Sequence, residues 1–292
     1  MNDRQKPTEI GQLLPDFVED LKKKGRTTAT ILAYENDIGQ LVKFLVPRGK
    51  KHITDIGPED IEAFKANLLE KKYSLTSVSR KINSIKSFFR FLKKESLVEK
   101  NVAQNVSQPK YKLSPPRILS KMEYRALRDV TRDDIRIYAI VEIFLQTGVR
   151  IAELANLNID DVKNDKLFIK NIPSKAHREI PLNKAAKNAI NSWLKQRPKS
   201  RSKTLFLTKT GKPFQVRNIR ATLNRYFKLA DIKNVTVNDL RHTFVAHQLK
   251  AGVPVVLVQR LAGHRHITTT EKYLQYINEK NTSSDSAKLE EL

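Results

Sequence analysis

Apolar residues in the first third of the chain recur at steps of three and four, the spacing of one helical face. Residues 31–45 carry such a stripe, and Pro58 is placed to open a second helix. The clearest case is 77–95. Its apolar stripe consists of Val78, Ile82, Ile85, Phe89 and Leu92. The pattern predicts a four-helix N-terminal domain over residues 1–105.

A second stripe on the 77–95 helix follows the first by one residue and becomes basic toward its end. Its basic members are Lys86, Arg90 and Lys93. A helix that packs one side on a bundle presents the other to phosphates or a DNA groove. These residues are therefore candidate DNA contacts, although a solvated charged face gives the same pattern in so basic a chain.

Residues 106–117 interrupt the helical pattern and predict a linker between two domains. Pro109, Pro115 and Pro116 prevent a continuing helix there. Ser120 and Glu123 then form a capping-box pattern that opens a new helix. Two domains on a basic linker suggest a clamp that closes around a duplex.

The second domain, residues 118–276, has a mixed pattern. An apolar helix over 133–146 is expected to end at Gly148 with a left-handed cap. Period-two alternation predicts two strands joined by a tight turn, and a third short apolar run predicts another strand. The strands are 166–171, 177–182 and 204–207. The remaining predicted helices are 184–197, 215–230, 238–251, 254–262 and 268–276, before a polar tail over 277–292 that ends in a possible short helix. The predicted fold is mainly α with a small β-sheet.

Charge indicates what the chain binds. Its 292 residues include 55 Lys and Arg against 31 Asp and Glu, a net charge of +24. Such an excess favours a polyanionic partner, most simply double-stranded DNA. A membrane surface is less favoured, because the basic residues are spread over many segments. The predicted helix 215–230 adds a second basic stripe. Its candidate DNA contacts are Arg217, Arg220 and Lys228.

Composition also limits location and chemistry. There is no cysteine, the longest apolar run is too short to cross a bilayer, and the first ten residues are polar, so a cytoplasmic location is expected. The adjacent pairs Asp133–Asp134 and Asp160–Asp161 resemble helix caps rather than a magnesium site. No phosphate-binding Gly-Lys-Ser/Thr loop is present, and the histidines lack zinc-ligand spacing. No metal or other cofactor is expected.

A phosphodiester can be transferred without metal if fixed cations balance the charge of the transition state. Arginine suits this because its planar fork binds two oxygens and stays protonated. A lysine can protonate the leaving oxygen, and an exposed tyrosine can store the bond covalently. Such a site requires two arginines, a lysine, a histidine and a tyrosine.

Three segments of the chain resemble the tyrosine recombinases, the phage integrase family that includes Xer-like recombinases and transposon resolvases. They are 147-TGVRIAELANL-157, 239-DLRHTFVAHQL-249 and 263-GHRHITTTEKY-273. Their order is the family's: first arginine, hairpin lysine, second arginine, Gly-His, then tyrosine. The separations of 23 residues from Arg241 to His264, and of 9 more to Tyr273, also resemble those of the family.

The resemblance implies a DNA recombinase that cleaves through a 3′-phosphotyrosyl intermediate, without metal or ATP. The implied catalytic residues are Tyr273, Arg150, Arg241, Lys175, His264 and Asn238. Arg150 and Arg241 would bind the phosphate that Tyr273 attacks, and His264 would hydrogen-bond it. Lys175 would be the general acid, with Lys170 as the alternative because the turn before Ile180 is short.

Two further residues bear on the implied site. Glu153 would orient Arg150, although an ordinary surface carboxylate is the alternative. Asn238 stands where the family usually has a histidine, in 238-NDLR-241. Asparagine donates a hydrogen bond but cannot carry a proton. The chain is therefore either an active recombinase or a non-catalytic helix-turn-helix DNA-binding protein with a decayed site. A metal-dependent nuclease is a third class.

The resemblance also implies an N-terminal SAM-like core-binding domain and a mixed α+β catalytic domain. It implies a monomer in isolation and a homo-tetramer on two DNA sites. The tail is then expected to dock on a neighbouring protomer.

Overall fold

The computed structural model describes residues 8–111, 114–170 and 177–285, with side chains as far as Ile277. The chain divides into two compact units, one ending at residue 113 and the other beginning at residue 114. No helix in these ranges is long and apolar enough to cross a membrane.

Over residues 8–111, the first unit contains four α-helices connected by short turns and 3₁₀ segments. They are α1 (Leu14–Lys23), α2 (Thr28–Leu45), α3 (Pro58–Glu70) and α4 (Leu75–Lys94). Helix α4 begins at Ser74, whose hydroxyl accepts from the Ser77 amide at 3.2 Å. Its predicted apolar stripe is fully buried, and the ring of Phe88 packs edge-on against Phe17 at 5.2 Å. The four-helix prediction is confirmed.

A buried carboxylate fixes α4 against α2. Asp37 is 1% exposed and accepts hydrogen bonds from Arg80, Lys81 and Ser84, the last two at 2.9 and 2.7 Å. A buried charge is tolerated only when it is paired and hydrogen-bonded, as here. This network sets the rotation of α4 and therefore which of its residues face solvent.

The second unit combines eight helices with one small sheet in its described part. The helices are α5 (Lys121–Thr131), α6 (Ile135–Thr147), α7 (Ile151–Ala155), α8 (Lys184–Gln196), α9 (Val216–Leu229), α10 (Val237–Lys250), α11 (Val255–Ala262) and α12 (Thr268–Asp285). The strands are β1 (Val162–Lys163), β2 (Lys166–Ile169) and β3 (Arg178–Pro181), antiparallel in the order β1-β2-β3. In the β2–β3 register, Leu167 lies opposite Ile180.

Two boundary predictions for this unit are wrong. Residues 204–207 form only isolated bridges, Thr204 with Asn158 and Leu207 with Pro213, instead of a strand. This run is apolar because its side chains, such as Phe206, are fully buried. Its backbone does not pair in a continuous ladder as a strand would. The tail was expected to begin at 277, whereas α12 continues to Asp285. Buried Tyr273 and Ile277 already hold this helix in place. Adding turns to an existing helix avoids the free-energy cost of nucleating a new one.

Helix α6 is the central element of the second unit. It is almost entirely buried and packs against α8 and α10. As predicted, it ends at Gly148, which has φ of 61°. A β-carbon at this glycine would lie 2.3 Å from the ring of Phe244, so the chain turns tightly against α10 before α7 begins. This turn brings Arg150 toward the end of α11.

Candidate active site

Arg150 and Glu153 form one hydrogen-bonded unit at the start of α7. The Arg150 amide donates to Glu153 Oε2 at 2.8 Å, and its Nη1 donates to Oε1 at 3.0 Å. Arg150 Nη2 donates to the carbonyl of Gly263 at 2.7 Å. Glu153 is only 3% exposed, so it is a buried partner of the arginine rather than a surface carboxylate.

Arg178 is a second arginine on Glu153, and the sequence-based predictions do not include it. It is the first residue of β3. Its Nη1 and Nη2 donate to the two carboxylate oxygens of Glu153 at 3.1 and 2.8 Å. Its Nε donates to the carbonyl of Leu261 at 2.8 Å. The only signal in the sequence was its alternation with Ile180 and Leu182, which puts Arg178 on the apolar face of the predicted strand.

The two arginines change the acidity of Glu153. Burial on its own raises the pKa of this carboxyl group, but hydrogen bonds and charge from Arg178, followed by those from Arg150, lower the pKa to about 2. Glu153 is therefore a carboxylate at all working pH values. It offsets the positive charge that the arginines bring to this part of the protein.

Arg241 occupies the most buried position of any site arginine. It is 6% exposed, and its Nη1 donates to the carbonyl of Gly148. Its buried Nη2 has no hydrogen-bond partner among the described residues. Burial, followed by the charge of Arg150, lowers the pKa of Arg241 to about 9. Burying a charge and leaving a buried donor without a hydrogen bond each cost free energy. A bound anion removes both costs, so Arg241 is suited to bind one.

Tyr273 lies beside two histidines. Its hydroxyl is 2.5 Å from Nδ1 of His242, and its ring stacks on His264 with centroids 6.2 Å apart and planes inclined by 15°. His264 Nδ1 is 2.8 Å from Oγ1 of the buried Thr270. Tyr273 was expected to be exposed, whereas it is 5% exposed because it packs in the core shared by α10, α11 and α12.

Electrostatics place His264 among the same groups. Burial lowers its pKa to about 3, and the charges of Arg241, Arg150, His242 and Arg178 contribute in that order. His264 is therefore neutral near pH 7 and can donate from one ring nitrogen while the other contacts Thr270. The structure thus brings together Arg150, Glu153, Arg241, His264 and Tyr273, as the sequence predicted. It adds His242 and Arg178.

The sequence also predicts Lys175, its alternative Lys170, and Asn238 as catalytic residues. Lys175 lies outside the described residues. The alternative, Lys170, is largely exposed and pairs with Asp161 at 2.5 Å. Asn238 is exposed in the first turn of α10, and its side chain has no hydrogen bond within the described ranges.

A basic groove of about 1040 Å³ opens beside the site. It runs between the β2–β3 sheet and the turn from α11 to α12. Its charged and histidine lining consists of Lys166, His177, Arg178, Glu179, Arg260, His264 and Arg265. Positive potential in a groove of this kind attracts a polyanion toward the site.

Both predicted DNA-facing stripes are on surfaces. Lys86, Arg90 and Lys93 line one shallow pocket of about 340 Å³ in the first unit, together with Asn101 and Gln104. On α9, the second stripe is exposed while the opposite face is buried. The exposed residues are Arg217, Arg220 and Lys228, and the buried ones are Ile219, Leu223 and Phe227.

Comparison with known proteins gives one consistent result. Residues 117–280 match the phage integrase family, and residues 14–96 match the phage integrase N-terminal SAM-like domain. The chain is 31% identical over 265 residues to the tyrosine recombinase XerC of Roseiflexus castenholzii, covering 86% of this chain and 84% of that protein. It is 32% identical over 274 residues to XerC of Oceanobacillus iheyensis, covering 88% and 89%.

The fold is also similar to a solved structure of a lambda integrase tetramer bound to a Holliday junction. The TM-score is 0.76 at 17% sequence identity, covering 92% of this chain and 78% of the other. At this identity the likeness concerns the fold, and it agrees with the predicted N-terminal helical domain and mixed catalytic domain.

Proposed function

The chain belongs to the phage integrase family and is a tyrosine recombinase, and from this premise we propose that it cuts and rejoins DNA strands at specific sites through a 3′-phosphotyrosyl intermediate. In this reaction Tyr273 attacks the scissile phosphate. The energy of the broken bond is kept in the covalent link, so neither ATP nor metal is required.

The observation that carries this proposal is the unpaired Nη2 of buried Arg241 beside Tyr273 and His264. The side chain is desolvated, its free donor has no protein partner in the described ranges, and its charge acts on both neighbouring rings. A phosphate oxygen can accept a hydrogen bond from this donor. The bond is strongest in the transition state, where negative charge develops on the oxygen. A tyrosine hydroxyl in the same cluster supplies the nucleophile.

The other residues take the roles that the resemblance implies, and the contacts of Arg150 and His264 support theirs. Arg150 binds a second non-bridging oxygen, and Glu153 fixes its orientation. Neutral His264 donates a hydrogen bond to the phosphate. Lys175 protonates the departing 5′ oxygen, with Lys170 as the alternative general acid.

The proposed partner is double-stranded DNA. The basic groove at the site, the exposed stripe on α9 and, in the other unit, the stripe on α4 each support contacts to DNA phosphates. The structure named for a lambda integrase tetramer on a Holliday junction supports assembly of four protomers on two duplexes. In isolation the chain is proposed to be a monomer.

A proposed role for the C-terminal tail is docking on a neighbouring protomer. The segment 286–292 lies outside the described residues, directly after α12. Deleting it is expected to weaken cooperative binding to paired sites and to spare binding to a single site. Equal loss at both kinds of site would contradict this role.

A second candidate function is supported by Asn238 and by the burial of Tyr273. A non-catalytic DNA-binding protein would keep the basic stripes and tolerate both features. The two functions differ in one property, because only the recombinase becomes covalently linked to DNA.

The test uses a nicked target duplex in the presence of EDTA. After cleavage, the short fragment next to the nick diffuses away, so the strand cannot be rejoined and the covalent product accumulates. The wild type is expected to form a protein–DNA adduct that is lost in Tyr273→Phe and retained in Tyr276→Phe, a half-buried tyrosine on the same helix. Binding without any adduct would favour the non-catalytic protein. Cleavage only after addition of a divalent metal would indicate a nuclease.

A further inference from the structure

His242 is held closer to the hydroxyl of Tyr273 than any other described side chain that can accept a proton. It follows Arg241 on α10, and its Nδ1 is 2.5 Å from Tyr273 Oη across the contact with α12. The ring centroids are 5.8 Å apart at 38°, so the imidazole edge meets the phenol. The hydroxyl of Tyr273 is thus within hydrogen-bond distance of a nitrogen that accepts its proton when the imidazole carries its hydrogen on Nε2.

We propose that His242 is the general base that removes the proton of Tyr273 as this oxygen attacks the phosphate. This inference rests on the proposed recombinase function. It assigns proton transfer to His242. Position 238 holds an asparagine, whose amide forms hydrogen bonds but does not accept a proton.

The other candidates near Tyr273 are less suited to this task. Asn238 is exposed and has no hydrogen bond to Tyr273. His264 meets the phenol ring face to face, and its Nδ1 is occupied by Thr270 at 2.8 Å. His242 therefore has the required geometry on its own.

The charges around His242 keep it in the accepting form. The titratable groups that face it are Asp239 and Arg241 on α10, Tyr273 on α12 and His264 in the turn before α12. Burial lowers the pKa of His242 and Arg241 lowers it further, against the opposing effect of Asp239. Burial raises the pKa of Tyr273. A neutral imidazole thus faces a phenol that needs a base.

The step balances with the groups named. The Oη–H bond of Tyr273 breaks, and its proton moves to Nδ1 of His242. The Oη–P bond forms, the P–O5′ bond breaks, and O5′ takes a proton from the general acid, Lys175 in the proposed function. During rejoining the 5′ hydroxyl attacks phosphorus and gives its proton to the now neutral general acid, the O5′–P bond forms, the Oη–P bond breaks, and His242 returns its proton to Oη.

The first test compares the pH dependence of adduct formation on nicked DNA in EDTA. His242→Gln is expected to be slower at neutral pH by a factor on the order of 10²–10⁴, the usual range for a lost general base. Its rate should then rise steadily with pH, because solvent hydroxide replaces the missing base. His247→Gln, an exposed histidine on the same helix, should keep the wild-type rate and profile.

A purely structural role for His242 gives a different result. Removing a residue that only holds Tyr273 in place slows the reaction by the same factor at every pH. A His242→Gln profile parallel to that of the wild type, or a rate within threefold of it, would overturn the proposal. Thermal unfolding and gel shift of each variant establish that it folds and binds DNA.

The second test separates the two ends of the reaction with a 5′-bridging phosphorothiolate at the scissile position. Sulfur leaves without a proton, so a variant that lacks the general acid, such as Lys175→Ala, recovers on this substrate. His242→Gln should remain slow, because its defect is on the nucleophile. Recovery of His242→Gln would place His242 on the leaving group and refute the assignment.

The outcomes also separate this inference from the function on which it rests. If the wild type forms no adduct on any nicked duplex, both the function and the base assignment fall. If it forms the adduct and Tyr273→Phe abolishes it, while His242→Gln keeps the wild-type profile, only the base assignment falls.

Discussion

Arg178 binds both carboxylate oxygens of Glu153, at 3.1 and 2.8 Å, while its Nε donates to the carbonyl of Leu261. One side chain on β3 therefore ties α7, which carries Arg150, to the end of α11, which leads to His264. Gly263 completes the arrangement: a β-carbon there would lie 2.8 Å from Arg178 Nη1. Strand β3 is thereby connected to the segment that contains Arg150 and to the segment that contains His264.

Arg178→Ala is expected to slow adduct formation at saturating DNA at least tenfold and to lower Tm. It leaves the buried Glu153 with one arginine instead of two, and an underpaired buried charge is costly. Arg178→Lys should restore part of the rate, since an ammonium cannot contact both oxygens in the same fork geometry. The exposed groove residue Arg265 is the control position, and Arg265→Ala should change neither Tm nor this rate. Wild-type behaviour of Arg178→Ala would remove its positioning role.

Glu153 should make the stability of the protein depend on acid pH. Its pKa is lowered from 4.5 to about 2 in the folded protein, which corresponds to roughly 3 kcal/mol of stabilisation when the group is ionised. Because the folded pKa is the lower one, this stabilisation is present above pH 4.5 and is lost as the pH falls toward 2.

Urea unfolding between pH 2 and 6 measures this effect. The free energy of unfolding of the wild type should exceed that of Glu153→Gln most above pH 4.5, and the difference should narrow as the pH falls. A difference that stays constant over this range would show that the carboxylate charge is not the stabilising element.

Arg241→Met is expected to stabilise the DNA-free protein while abolishing its activity. Burial and Arg150 make the charge of Arg241 unfavourable, and an apolar side chain of similar length removes it. The free energy of unfolding should rise by about 1–2 kcal/mol. Each kcal/mol should raise Tm by roughly 2–4 °C. Adduct formation should fall by a factor on the order of 10²–10³, as for loss of a transition-state donor. A lower Tm would indicate that Arg241 is a structural residue.

Asn238→His restores the residue that the family usually has at this position. Adduct formation is expected to stay intact or to increase, because the exposed side chain has room for an imidazole and a second proton carrier cannot slow proton transfer. The measurement is the single-turnover rate on nicked DNA. Complete loss of cleavage would exclude position 238 from the site.

Arg90→Gln should weaken DNA binding in a salt-dependent way. If Arg90 contacts one phosphate, the slope of log K against log salt should become smaller by about 0.9. Lys23→Gln, on an exposed face of α1, is the control and should leave the slope unchanged. Equal slopes for Arg90→Gln and the wild type would indicate that the basic stripe on α4 is a solvated surface that does not contact DNA. Arg220→Gln tests the α9 stripe in the same way.

The sequence alone determined most of the long helices and their order. The capping box of Ser120 with Glu123 and the left-handed cap at Gly148 were predicted and are confirmed. Such features depend on residues within one or two turns of each other, so the local pattern contains the necessary information. The order of the arginine, Gly-His and tyrosine motifs likewise indicated the family without any coordinates.

Tertiary packing decided how the site residues meet. Arg150 Nη2 reaches the Gly263 carbonyl across 113 positions of sequence, and His242 reaches Tyr273 across 31. Neither contact has a local signature, because both depend on how α7, α10, α11 and α12 pack. Burial of Tyr273 and the shared carboxylate of Glu153 arise in the same way. The sequence motifs specified Arg150, Arg241, His264 and Tyr273, and only the packing of the fold added Arg178 and His242 and set which atoms face each other.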